Sequence, residues 1–205
     1  MDYSTVKTRV ANYLNRSDLT TYIAEWVNFG QRKIEKVSNF IGMEENESDT
    51  LSEDAYTIDI PTGYKSTRSM YMIWEDQKYP VTKATEKELF DTRSNLTIDI
   101  GRPLIFCPRE EDDSIWFRPT ADQDYTYYHN FYKYSAALAA SDDTNWITDG
   151  YPELLIYMAL MEAEPYIMKD GRIQTWAKMA AGLMEDLVGA ENQRDFSPDM
   201  VMYAT

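Results

Sequence analysis

Few side chains in this 205-residue sequence could do covalent or metal chemistry: it holds one histidine, His129, and one cysteine, Cys107. A histidine pair, a cysteine zinc cluster and an intrachain disulfide are excluded, leaving Cys107 with His129 as the one possible nucleophilic pairing. Both stand in runs rich in Phe, Trp and Tyr, where a thiol is usually an inert core group and a histidine a sheet-face residue, so no catalytic pair is assigned. The acidic pairs Glu44/Glu45, Glu110/Glu111, Asp112/Asp113 and Asp142/Asp143 lack the alternating donors and distal glutamate of a calcium loop, and read as solvated turns. The eight glycines never gather into a phosphate loop, and there is no GxSxG elbow. The reading is a non-enzyme with no metal and no cofactor. The alternative from another class is a carboxylate-based hydrolase acting on glycans or cell wall, although nothing selects a pair from 35 Asp and Glu.

Composition narrows the partners. The formal charge of −15 opposes any grip on DNA or an anionic membrane. The longest apolar run, Leu154 to Met161, is far short of the roughly 20 residues a membrane span needs, and the first residues lack a signal-peptide layout. A soluble protein not exported by a recognisable signal is expected, with no membrane partner. Charge is uneven: residues 1–42 hold six cations and four anions, whereas 43–56 hold six anions and no cation. The run from Met43 to Thr50 has no periodicity and is expected to be an acidic loop.

Around that run, the hydrophobic period changes twice. Val6, Val10, Tyr13 and Leu14 predict a helix over 4–14; Leu19, Ile23, Trp26, Val27, Gly30, Ile34, Val37 and Ile41 predict a second over 19–41, with Asp18 as its N-cap. From Tyr56 to Ser135 alternation takes over, with hairpins around Glu75–Lys78 and Glu110–Asp113 and an aromatic strand over 125–132. Thr85 and Glu88 form a capping box for a short helix between the hairpins. Pro152 starts a helix that is apolar on every side, and Ile173, Trp176, Ala180, Leu183 and Leu187 mark a last one.

The expected fold is therefore α+β: a four-helix bundle formed from both chain ends, with a β-hairpin-rich antiparallel insertion. The expected divisions are an N-terminal hairpin over 1–42, the acidic loop and β-rich insertion over 43–144, a C-terminal helical hairpin over 145–195 and an arm over 196–205. The expected bundle core is Trp26, Ile34, Leu154, Leu155, Met158, Trp176 and Leu183.

Several segments then resemble a known family in order. They are Val6 to Arg16; Ile58-Asp59-Ile60-Pro61-Thr62-Gly63-Tyr64 followed by Arg68-Ser69-Met70-Tyr71; Gly101-Arg102-Pro103; Asn145-Trp146-Ile147; and Tyr151-Pro152-Glu153-Leu154-Leu155-Ile156-Tyr157 through Glu162-Ala163-Glu164-Pro165-Tyr166. The pattern is similar to that of head-to-tail adaptor proteins of short-tailed bacteriophages, from which it departs at Met158 (often glycine) and Glu153 (often aspartate). That resemblance implies a virion protein at the head–tail junction, in a ring of usually twelve copies. Its partners would be the portal protein, the tail nozzle and possibly tail fibres, with genomic double-stranded DNA passing through without specific binding. Another connector component, such as a completion or stopper protein, is the nearer alternative. On this reading Glu44, Glu45, Glu47, Asp112 and Asp113 line or border the channel. The apolar arm presents Phe196, Pro198, Met200, Val201, Met202 and Tyr203 to the portal.

Overall fold

The computed structural model describes residues 1–91, 100–167 and 171–195. It divides into a helical unit, residues 1–43 with 135–205, and a sheet unit, residues 44–134.

In the helical unit, α1 (Tyr3–Leu14), α2 (Thr20–Val37) and α7 (Ile173–Asp195) all pack on α5 (Pro152–Glu162). Two short helices, α4 (Trp146–Gly150) and α6 (Glu164–Ile167), flank α5. Leu154, Leu155, Ile156, Ala159 and Leu160 are all buried, because a helix without a polar face must be covered on several sides. Close approach of α2 to α5 depends on Gly30: a Cβ there would lie 3.1 Å from the Met158 Cβ and 3.2 Å from the Ala159 amide nitrogen. Trp26, Ile34 and Trp176 are buried with Leu154 and Leu155, whereas Met158 and Leu183 are half-buried. Helix α2 ends at Val37, earlier than its apolar pattern suggests, and Val37 and Ile41 are exposed. Asp18 does not cap it; its carboxylate is held by Arg16 at 2.6 and 2.7 Å.

The sheet unit overturns the expected fold class. A hairpin-rich insertion in a four-helix bundle is replaced by a seven-stranded, nearly closed, barrel-like sheet in the order β1-β7-β3-β4-β5-β6-β2, in a mixed α+β chain. The strands are β1 (Glu44–Leu51), β2 (Thr57–Asp59), β3 (Tyr64–Trp74), β4 (Gln77–Lys83), β5 (Ile105–Arg109), β6 (Ser114–Arg118) and β7 (Tyr125–Lys133), with α3 (Glu86–Asp91) after β4. The sheet encloses a core of its own, including Leu51, Met70, Met72, Phe106, Ile115, Phe117 and Tyr127. Its curl follows from connectivity. β1 and β2 are the two outermost strands yet are joined by residues 52–56 alone. A flat sheet would separate them by about 29 Å, and the linker reaches only about 20 Å. The linker is stitched to the β6–β7 connection by Asp54 N–H to Ala121 O (2.9 Å) and Ala121 N–H to Ala55 O (3.0 Å).

Two further expectations fail here. The acidic stretch is no loop: Glu44 to Leu51 pair residue for residue with Tyr132 to Tyr125 of β7. Seven of its eight residues are exposed, so the strand is fixed by the β7 hydrogen-bond ladder and not by a buried face of its own. Nor is the sheet wholly antiparallel, because β4 and β5 run parallel, with α3 in the crossover. The capping pair starting α3 is present, with Thr85 N–H donating to the Glu88 carboxylate at 2.8 Å and Glu88 N–H to Thr85 Oγ1 at 3.3 Å.

Candidate assembly surface

The two reactive side chains are both buried. His129 is fully buried, its Nε2 2.8 Å from Thr67 Oγ1, which is itself 2.9 Å from the Tyr64 hydroxyl. Burial pushes its pKa down to about 4, so the ring is neutral at physiological pH. Cys107 is buried, with its thiol near the Pro108 carbonyl at 3.6 Å, and burial pushes its pKa up, which suppresses the nucleophilic thiolate. With no exposed surface, His129 has no path to a substrate in this conformation.

The acidic candidates are placed by strand polarity. β1, β3 and β6 begin, and β2, β5 and β7 end, at one end of the sheet unit. Glu44 and Glu45 therefore start at the same end as the β5–β6 turn bearing Asp112 and Asp113, but the two groups line separate grooves; Glu47 lies further along β1. A groove of about 640 Å³ there is lined by Asp59, Gly63, Tyr64, Glu110, Asp112 and Asp113. Glu44 is paired with Arg68. Asp112 binds Arg109 at 2.8 Å, and Arg109 also meets Glu86 at 3.2 Å and lies 4.5 Å over the Trp116 ring. Arg109 thus fixes the turn, a role the sequence reading missed; its position immediately before the carboxylate run Glu110 to Asp113 was the available signal.

Directly opposed residues share a sheet face, so Glu45, Glu47 and Asp49 lie on the same face as Phe131, His129 and Tyr127. Inward-facing charge on an edge strand blocks further strand pairing. The Tyr127 hydroxyl is pushed up to about 12, first by burial and then by Glu47, Asp49 and Asp59, so the negative field of both sheet edges reaches the interior. The outer face is aromatic: Tyr71 and Tyr128 stack at 5.0 Å, with Lys78 4.8 Å over Tyr71.

In the helical unit, polar residues one step round from the α2 core stripe hold an extended segment. Asn28 donates to Leu138 O at 3.0 Å and accepts from Leu138 N–H at 2.8 Å. Gln31 donates to Ala136 O at 3.0 Å, and Glu35 accepts from Ser135 N–H at 2.9 Å. Gln31 also accepts from Asn145 at 3.0 Å, whose own Oδ1 caps α4 through Ile147 and Thr148 N–H, both at 3.0 Å. The Asn145-Trp146-Ile147 motif is therefore a structural joint, and Trp146 packs on Phe40 at 5.2 Å. The i, i+3, i+7 spacing of Asn28, Gln31 and Glu35 was the sequence signal for this clamp.

The opposite face of α2 is exposed. Tyr22, Glu25, Phe29, Lys33, Lys36 and Val37 form one stripe, with Phe29 53% and Val37 55% accessible. The arm residues Phe196, Pro198, Met200, Val201, Met202 and Tyr203 lie outside the described residues. Among the described residues, no group of histidine, cysteine and carboxylates is arranged to hold a metal ion, and no helix is long and apolar enough to cross a membrane.

What the geometry supplies is thus surface: an acidic strand edge, a stacked aromatic face and a cationic–aromatic helix stripe. No curated protein matches the chain. The SU10 adaptor protein family profile matches residues 1–202, and the chain accordingly belongs to this family of phage adaptor proteins, structural components of the virion.

Proposed function

We propose that this adaptor works at the head–tail junction, as a ring docked beneath the portal that receives the tail nozzle, and fibres where the tail has them. The observation that carries the reading is the family match along the whole chain, together with the ordered motif resemblance to short-tailed-phage head-to-tail adaptors. Work of this kind is done by mating surfaces, and enzymatic turnover forms no part of the proposal.

Twelve copies is the stoichiometry the resemblance implies, and DNA leaves through the centre of the ring. Clustered carboxylates beside a channel repel phosphate and let DNA slide without adhering. Glu44, Glu45, Glu47, Asp112 and Asp113 are assigned to line or border the channel, supported by the start of β1 and the β5–β6 turn lying at the same end of the sheet unit. Residues 196–205 are assigned to portal contact on their apolar composition.

Mixing purified chain with portal particles and imaging them tests the proposal: ring density beneath the portal is expected, and particles that bind no chain would refute it. Charge reversal at Asp112 and Asp113, which lie in the β5–β6 turn away from β1, is expected to slow DNA ejection without preventing docking. Deleting 196–205 is expected to abolish docking.

A further inference from the structure

We infer that successive copies meet head to tail, the exposed α2 stripe of one copy lying against the acidic β1 edge of the next. The inference rests on the adaptor reading and names a contact within that assembly.

Phe29 and Val37, two turns apart on α2, are each more than half exposed, and Lys33 and Lys36 lie beside them on the same stripe. Exposed apolar anchors with Lys33 and Lys36 between them fit an acidic partner. The same chain carries such a surface. Glu45, Glu47 and Asp49 project from one face of β1, all exposed, and no cation stands within ion-pair distance of them among the described residues. Lys33 meets Glu162 within its own chain, while Lys36 makes no ion pair among the described residues, so the helix stripe has charge left to share.

Charge decides between occupants. Each copy bears −15, so most pairings of its surfaces repel, and contact between copies is favoured where an excess of cations meets an excess of anions. Of the six cations in segment 1–42, Lys33 and Lys36 lie on this stripe, toward the C-terminal end of α2 and past the stripe's one anion, Glu25, whereas the stretch 43–56 has anions alone. Two different, complementary patches on one chain make a heterologous contact, and heterologous contacts generate rings when the rotation closes. Inward-facing charge on β1 disfavours pairing with another strand, so the contact is through side chains and not through an added ladder.

Carbodiimide coupling, which joins lysine amines to carboxylates in contact, tests this on an equal mixture of unlabelled and heavy-nitrogen-labelled full-length chain at high concentration. The isotope label separates contacts between copies from contacts within one. Mixed-label crosslinks from Lys33 or Lys36 to Glu45, Glu47 or Asp49 are expected. Lys36→Glu alone and Glu47→Lys alone should each weaken association by roughly tenfold or more, since juxtaposed like charges are strongly penalised. Combining the two changes in one chain, or mixing the two single variants, should restore it, which a mere folding defect would not do. Mixed-label crosslinks mapping elsewhere, their complete absence, or crosslinks that form only when DNA is added would overturn the contact. Mapping elsewhere would leave the adaptor reading standing, whereas failure of the chain to bind portal particles would remove that reading itself.

Discussion

The helical unit is ordered by its side chains, the sheet unit by its connections. In the first, α5 has no polar face and collects α1, α2 and α7 around it; the short distance between α2 and α5 is set by one residue without a side chain, Gly30. In the second, the most exposed strand of the molecule, β1, holds its place through backbone pairing to β7 and through a linker too short to let the sheet lie flat. The comparison teaches that burial is cause enough for an element such as α5, whereas β1, which gives only Leu51 to the core of its sheet, is held by pairing and closure.

The sharpest way to break that comparison is to open a cavity in the helical unit. Leu155→Ala removes a fully buried side chain from α5 and should cost about 3–4 kcal/mol. Amide hydrogen exchange should show the loss in the helices and leave β3 and β7 protected. Equal loss in both units would mean that they unfold as one.

Acid should act on the sheet unit instead. The buried His129 has a pKa near 4 against an ordinary 6.5, so the unfolded chain takes up a proton that the fold refuses. Stability from the neutral ring is complete above about pH 6.5 and is lost progressively as pH falls through 4, amounting to about 3 kcal/mol. His129→Gln, neutral throughout, should flatten this part of the denaturation profile; an unchanged slope between pH 6.5 and 4 would assign the acid sensitivity to other groups.

Next in size is the joint before the sheet. A Cβ at Gly42 would fall 2.5 Å from the Trp146 Cγ, so Gly42→Ala must displace the indole from Phe40, at a cost of about 2 kcal/mol. Thermal melting followed by tryptophan fluorescence would report it, and a shift below 1 °C would show that the ring has room to move.

The smallest change should stabilise. Glu75 and Asp76 form the two-residue β3–β4 turn with φ of 47° and 60°, a backbone that glycine adopts freely and other residues resist. Asp76→Gly should raise stability by about 0.5–1 kcal/mol, measured as a higher midpoint in urea. A lower midpoint would show that the Asp76 side chain contributes more than its strain removes.

Legibility in the sequence followed the same division. The 3.6-residue stripe of α2 and the all-apolar run of α5 announced helices directly, because the residues that form those elements also bury them. The hairpins around 75–78 and 110–113 were readable from alternation and polar turns, although the first turn is tighter, with Gln77 already paired to Trp74. β1 was not, since a strand held by its neighbour need carry no pattern of its own, and Glu44 to Thr50 carry none. Of the candidate surface, the acidic runs are visible in the sequence, but that Glu44 and Glu45 start at the same sheet end as the turn of Asp112 and Asp113 depends on the polarity of strands far apart in sequence. The Asn28–Gln31–Glu35 clamp was overlooked because polar residues beside a core stripe look like solvated ones until the backbone they hold is known.

By itself, the sequence determined a charge that repels DNA, a lack of paired reactive groups, and the helices whose apolar faces demand cover. Only tertiary structure decided that the acidic stretch is an edge strand, that seven strands curl into one sheet, and that α2 turns a cationic and aromatic face outward. The physical reason is range. Period and composition act within a few residues, whereas register, closure and exposure depend on which distant segment supplies the opposing hydrogen bonds and side chains.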